Sequence, residues 1–174
     1  MATLTATTYA TFAAGHAGNI GNVETLDGGN NTTDFTLSST SETEYTHTRI
    51  TITPSVATSR IWVCYAIQMH INMLTFTSSR SCRAMLHRYV GTTDTDLGAI
   101  ASMRVTSEHD DYTEHSGFIG RIDHPDTTSA VRYSMYMNDN DSSIVYWQHN
   151  YCPTAHGVRG FAMELIGTPD SWER

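Results

Sequence analysis

The sequence predicts an all-β domain, a sandwich or closed barrel of about eight strands preceded by an extended N-terminal arm. Three observations lead there. Thr, Ser and aromatic residues are abundant, lysine is absent, and only 16% of residues are charged, a composition that suits pleated sheets better than helices. An alternation of period two sets in after Asp34. Clusters of turn residues then recur at strand-length intervals.

The first segment, residues 1–33, stands apart. It is rich in Thr, Ala, Gly and Asn, and its apolar residues Leu4, Tyr9, Phe12, Ile20, Val23 and Leu26 are too sparse to form a core. It is expected either to be disordered or to be an arm that orders against a partner, with Leu4, Tyr9 and Phe12 as anchoring side chains, the alternative being that it packs on its own sandwich or on a neighbouring copy; residues 34–174 are expected to form the sandwich. There Phe35 and Leu37 open the alternation, and Tyr45 to Thr53 reads as a strand ended by Pro54. The run Arg60 to Phe76 is the clearest strand. It places Ile61, Val63, Tyr65, Ile67, Met69, Ile71 and Met73 on one face and Trp62, Cys64, Ala66, Gln68, His70 and Asn72 on the other. Further strands are expected at Ser81–Val90, Leu97–Val105, Gly117–Ile122, Ala130–Met137, Ile144–Tyr151 and Val158–Ile166. Turns at Gly91–Asp94, Asp123–Asp126 and Asn138–Ser142 separate several of them.

A net charge of −8 and a pI near 5.4 argue against nucleic acid as a partner, because phosphate binding needs a basic surface. Three cysteines, Cys64, Cys82 and Cys152, form no disulfide framework, and Cys64 and Cys82, inside apolar stretches, are expected to be buried thiols. The start shows no basic, apolar leader, and Gln68, His70 and Asn72 break the longest apolar stretch, so no membrane association is expected.

No catalytic residues emerge. There is no Gly-x-Ser-x-Gly, and the carboxylate pairs Asp94/Asp96 and Asp110/Asp111 fall in polar, turn-like stretches where neither member should be desolvated. His109-Asp110-Asp111-Tyr112-Thr113-Glu114-His115 has poor ligand spacing and reads as a solvated loop. Asn138–Ser142 lacks the glycine and closing glutamate of a calcium loop. The chain is thus expected to be no enzyme and to need no metal or other cofactor. Aromatic residues gather in the last third, and Tyr146, Trp147 and Trp172 are the candidates for exposed interface aromatics, since alternation puts Tyr146 and Trp147 on opposite faces of a strand.

From about Thr51 to Ile166 the chain resembles the β-rich virion proteins of tailed bacteriophages, in particular a domain of fibres and decoration proteins from environmental phages. Four pieces carry the resemblance: Ile50-Thr51-Ile52-Thr53-Pro54 followed by Ala57-Thr58-Ser59-Arg60-Ile61-Trp62-Val63; the strand Ala84-Met85-Leu86-His87-Arg88 with Gly98 after it; Asp123-His124-Pro125 running on through Thr128-Ser129 to Tyr133; and the closing Gly160-Phe161-Ala162-Met163-Glu164-Leu165. The resemblance implies a jelly-roll-like sandwich, a homotrimer, and display on the particle surface. It brings no catalytic residues. The function expected from it is a capsid decoration, or cement, protein bound to the major capsid protein on the outside of the shell and made in the host cytoplasm. The alternative is a short fibre or receptor-binding module that contacts the host surface.

Overall fold

The computed structural model describes residues 19–26, 35–37, 40–72, 80–105, 112–139, 145–147 and 159–166. Ten strands run through them: Asn19–Leu26 (β1), Phe35–Leu37 (β2), Thr43–Ile52 (β3), Arg60–Asn72 (β4), Arg80–Val90 (β5), Thr93–Val105 (β6), Tyr112–Asp123 (β7), Val131–Asp139 (β8), Val145–Trp147 (β9) and Arg159–Ile166 (β10). Their pairing is nested and wholly antiparallel. β5 pairs with β6, β4 with β7, β3 with β8, β2 with β9 and β1 with β10. A long hairpin is thus rolled up on itself. Further pairings of β4 with β10 and β9, and of β5 with β8, complete two sheets. Sheet A carries β1, β10, β4, β7, β9 and β2, and sheet B runs β3-β8-β5-β6. This is an all-β, jelly-roll-like sandwich, as the sequence leads one to expect.

Period-two alternation decides what lies between the sheets. Sheet A sends in Ile61, Val63, Tyr65, Ile119 and Ala162, and sheet B sends in Tyr45, Ile50, Ile52, Cys82, Ala84, Leu86, Val131, Tyr133, Met135 and Met137. Burying each larger side chain stabilises the fold by about 1.5–3 kcal/mol. The register of β3 against β8 slips between Tyr45 and Ile50. There the buried Thr48 hydroxyl donates to the Tyr45 carbonyl at 2.6 Å and accepts from the Met135 amide at 2.8 Å, satisfying backbone groups that the ladder leaves open.

Several boundaries differ from the sequence reading. Residues 19–26 of the expected arm are a sandwich strand, β1, because pairing with β10 supplies the order their own composition lacks. The β5–β6 turn is tighter than Gly91–Asp94: Gly91 takes φ +60, and β6 already begins at Thr93. Residues 112–115, read as part of a loop, are the start of β7, with Asn72 opposite Tyr112 and Met69 opposite His115. β8 continues through Asn138 to Asp139 rather than turning at Asn138. Leu4, Tyr9, Phe12, His109, Cys152 and Trp172 lie outside the described residues.

Candidate functional site: an exposed apolar sheet face

Alternation along β4 that buries Ile61, Val63 and Tyr65 turns Trp62, Cys64 and Ala66 outward. Register then sets their neighbours. Trp62 stands between Met163 and Ile122, Cys64 between Phe161 and Gly120, and Ala66 between Arg159 and Phe118. β1 extends two of these rows at its edge, with Val23 beside Met163 and Thr25 beside Phe161, while Ile20 lies beside Leu165. The outer face of sheet A is therefore apolar across four strands. Phe118 is 84% exposed, Val23 49%, Ile122 47%, Trp62 40% and Ile20 39%. The Trp62 and Phe161 rings meet edge to face at 5.1 Å between centroids, which holds the tryptophan upright on the sheet. Gly120 lies between Phe118 and Ile122, and the nearest atoms that a Cβ placed on it would meet are Val63 O, Cys64 Sγ and Trp62 Nε1, at 3.4–3.6 Å. Cys64 and Gly120 are thus the low part of the face between the larger side chains. A contiguous, exposed apolar surface on this scale marks an interaction site.

The outer face of sheet B is of opposite character. His87 is buried there, stacked on the Tyr136 ring at 4.0 Å, and its Nδ1 lies 2.9 Å from Asp94 Oδ1. Its Nε2 is buried and without a hydrogen bond, 3.6 Å from Glu42 Oε2 and 4.0 Å from Asp96 Oδ1. Tyr89 donates to Asp94 Oδ2 and shares a hydrogen bond with Tyr136, while Arg132 lies over its ring at 4.2 Å. Burial, and then the hydrogen bonds with Tyr136 and Asp94, push the Tyr89 phenol well above its ordinary pKa. Nothing in the local pattern signals that Asp94 and Asp96 serve a histidine. They read as turn residues, and only the β5–β6 register brings Asp96 opposite His87 and Asp94 opposite Tyr89.

Among the described residues two carboxylates, Glu164 and Asp123, are buried, and both are clamps. Glu164 accepts at Oε1 from the Ser55 amide, the Ser55 hydroxyl and the Ser59 hydroxyl at 2.6–2.7 Å, and at Oε2 from the Asn22 amide at 3.0 Å. It ties the start of β4 and the irregularity in β1 to β10, and a Cβ on Gly21 would overlap its carboxylate. Asp123 accepts from Arg88 at 2.9 and 3.1 Å and from the Tyr133 hydroxyl at 2.7 Å, linking sheet A to sheet B.

Of the aromatics singled out in the sequence, Tyr146 and Trp147 stand on β9, where only the backbone is described, and Trp172 lies outside the described residues. Among the described residues, Trp62 and Phe118 are the large exposed aromatics. Alternation had already put Trp62 on the face opposite Ile61. Cys82 is buried as expected, whereas Cys64 is only partly so, and neither is in a disulfide. Among the described residues no group of three or more His, Cys, Asp and Glu is arranged to hold a metal ion, and no helix is long and apolar enough to cross a membrane.

No known protein family matches the chain, and no curated protein does. Among solved structures it is similar to the VP2 subviral particle of infectious bursal disease virus, at 14% identity and a TM-score of 0.37, over 84% of this chain and 38% of that one. It is also similar to the structure of the Gx strain of that virus, at 9% identity and a TM-score of 0.31, over 85% of this chain and 37% of that one. The chain thus spans under two fifths of the length of these structures, and at such TM-scores the likeness does not bear on function.

Proposed function

We propose that this chain is a structural protein of a virus particle, and specifically a capsid decoration protein seated on the outer surface of the major capsid shell. One observation carries the reading. The buried carboxylates are fully engaged in clamps, and the broad exposed face of sheet A offers apolar side chains, the surface of a protein meant to be covered by protein. The motifs that carry the virion-protein resemblance support it, because they are the clamp residues: Ser59 with Glu164, and Arg88 with Asp123 and Tyr133. In this reading Leu4, Tyr9 and Phe12 anchor the arm in the shell, by strand addition or in an apolar groove.

A short fibre or receptor-binding module is the second reading, and the exposed Trp62 and Phe118 favour it, since such rings stack on sugars. The test is add-back. Purified protein mixed with heads that lack it should co-sediment and saturate at a fixed ratio to shell subunits. Replacing Leu4, Tyr9 and Phe12 together by Ala should abolish that binding. Failure of the wild-type protein to bind heads, with binding to host cells instead, would favour the fibre reading.

A further inference from the structure

We propose that this chain pairs with a second copy of itself through the outer face of sheet A, about a twofold axis that runs along the Cys64–Gly120 row. The inference concerns the free protein and does not depend on the virion reading.

Charge selects the occupant. The chain carries a net charge of −8, so a second copy is repelled unless the two meet where neither presents a carboxylate. The outward side chains of the central rows are Thr25, Phe161, Cys64, Val23, Met163, Trp62, Ile122, Ala66, Phe118 and Arg159, with Arg60 beside Leu165 in the next row and the exposed Glu24 at the β1 edge. The acidic residues Glu42, Asp94 and Asp96 stand around His87 on the far side of the sandwich.

Shape selects the geometry. Along β4 the face reads large, small, small: Trp62, Cys64, Ala66. A twofold axis lying in the interface, perpendicular to the strands at the level of Cys64, reverses one copy relative to the other. It sets Trp62 over Ala66 of the second copy and Phe118 against its Ile122. The row of Phe161, Cys64 and Gly120 lies on its own copy along the axis. Trp62 thus falls on the small Ala66, while Phe118 packs on Ile122 and Phe161 meets its own copy, an apolar contact between two sheet faces that is isologous and closed.

Area is sufficient. The exposed parts of Phe118, Trp62, Ile122, Val23 and Ile20 offer on the order of 500 Å² per copy, taking about 150–250 Å² for each whole aromatic side chain. Two copies reach about 1,000 Å² before the half-buried Phe161, Met163 and Leu165 are added, which is the range of a specific interface.

Sedimentation velocity of the full chain at tens of micromolar is the test. It should give twice the 19.3 kDa chain mass. A short bis-maleimide should link the pair through Cys64, and Cys64→Ser should remove the link while the mass stays doubled. Phe118→Asp should halve the mass and leave the circular dichroism spectrum unchanged, since that side chain is 84% exposed and holds nothing in the core. Trp62→Glu should do the same. A wild-type monomer, a trimer of the kind the family resemblance implies, or a dimer that survives both substitutions would overturn the proposal. None of these outcomes touches add-back to heads, so the two readings fail separately.

Discussion

Ser59 and Glu164, 105 positions apart in the chain, meet in a 2.6 Å hydrogen bond inside the sandwich. The glutamate has no exposed surface, and every donor it takes comes from a segment that it holds in place: the β1 irregularity at Asn22, the bend at Ser55 and the entry to β4 at Ser59. Glu164→Ala leaves the buried Ser59 hydroxyl unpaired and releases the Asn22 and Ser55 donors, and should cost about 2–3 kcal/mol. Ser59→Ala removes one charge-assisted bond and should cost about 1.5–3 kcal/mol. Urea midpoints at constant slope measure both, and a change under 0.5 kcal/mol for Glu164→Ala would contradict the clamp.

The same carboxylate makes stability depend on acid. Burial raises the pKa of Glu164, but the hydrogen bonds from Ser59, Asn22 and Ser55 outweigh it and hold the group below its ordinary 4.5. A folded value below the unfolded one means that the contribution is complete above about pH 4.5 and is lost as pH falls through the folded value. Glu44 shifts the same way, chiefly through its hydrogen bond from Arg49. The melting temperature of the wild type should therefore fall on acidification below about pH 4.5, and Glu164→Gln should flatten that limb so that the two curves converge. Parallel curves would contradict the assignment.

Asp123 is the second clamp. Asp123→Ala strands the Arg88 guanidinium, whose Nε is already buried without a partner, and should cost about 3 kcal/mol. Tyr133→Phe loses only the hydroxyl donor and should cost about 1 kcal/mol. Burial, and then the neighbouring Asp123 carboxylate, push the Tyr133 phenol far above its ordinary pKa. Alkaline titration followed at the tyrosinate absorbance should find it silent until the protein unfolds.

What the sequence revealed follows from local pattern. The alternation in Arg60 to Phe76 identifies Ile61, Val63 and Tyr65 as core and Trp62 as outward, and the structure agrees at each. β1 was hidden because Asn19–Leu26 has no strong period of its own and is ordered by a partner some 140 residues away, β10. The start of β6 was hidden because Asp94 and Asp96, poor strand residues alone, are tolerated beside His87 and Tyr89. The apolar face was half legible. Alternation separates Trp62 from the core, but only register brings Ile122, Phe118 and Phe161 beside it. The clamps join residues no short motif could connect, although the resemblance had singled out Ser59, Arg88, Asp123, Tyr133 and Glu164 without saying that they touch.

Copy number on purified particles, measured by quantitative mass spectrometry against the major capsid protein, tests the decoration reading most directly. The prediction is a fixed ratio to shell subunits, hundreds of copies per particle. A dozen or so copies would favour a fibre, and absence from purified particles would contradict a virion role altogether.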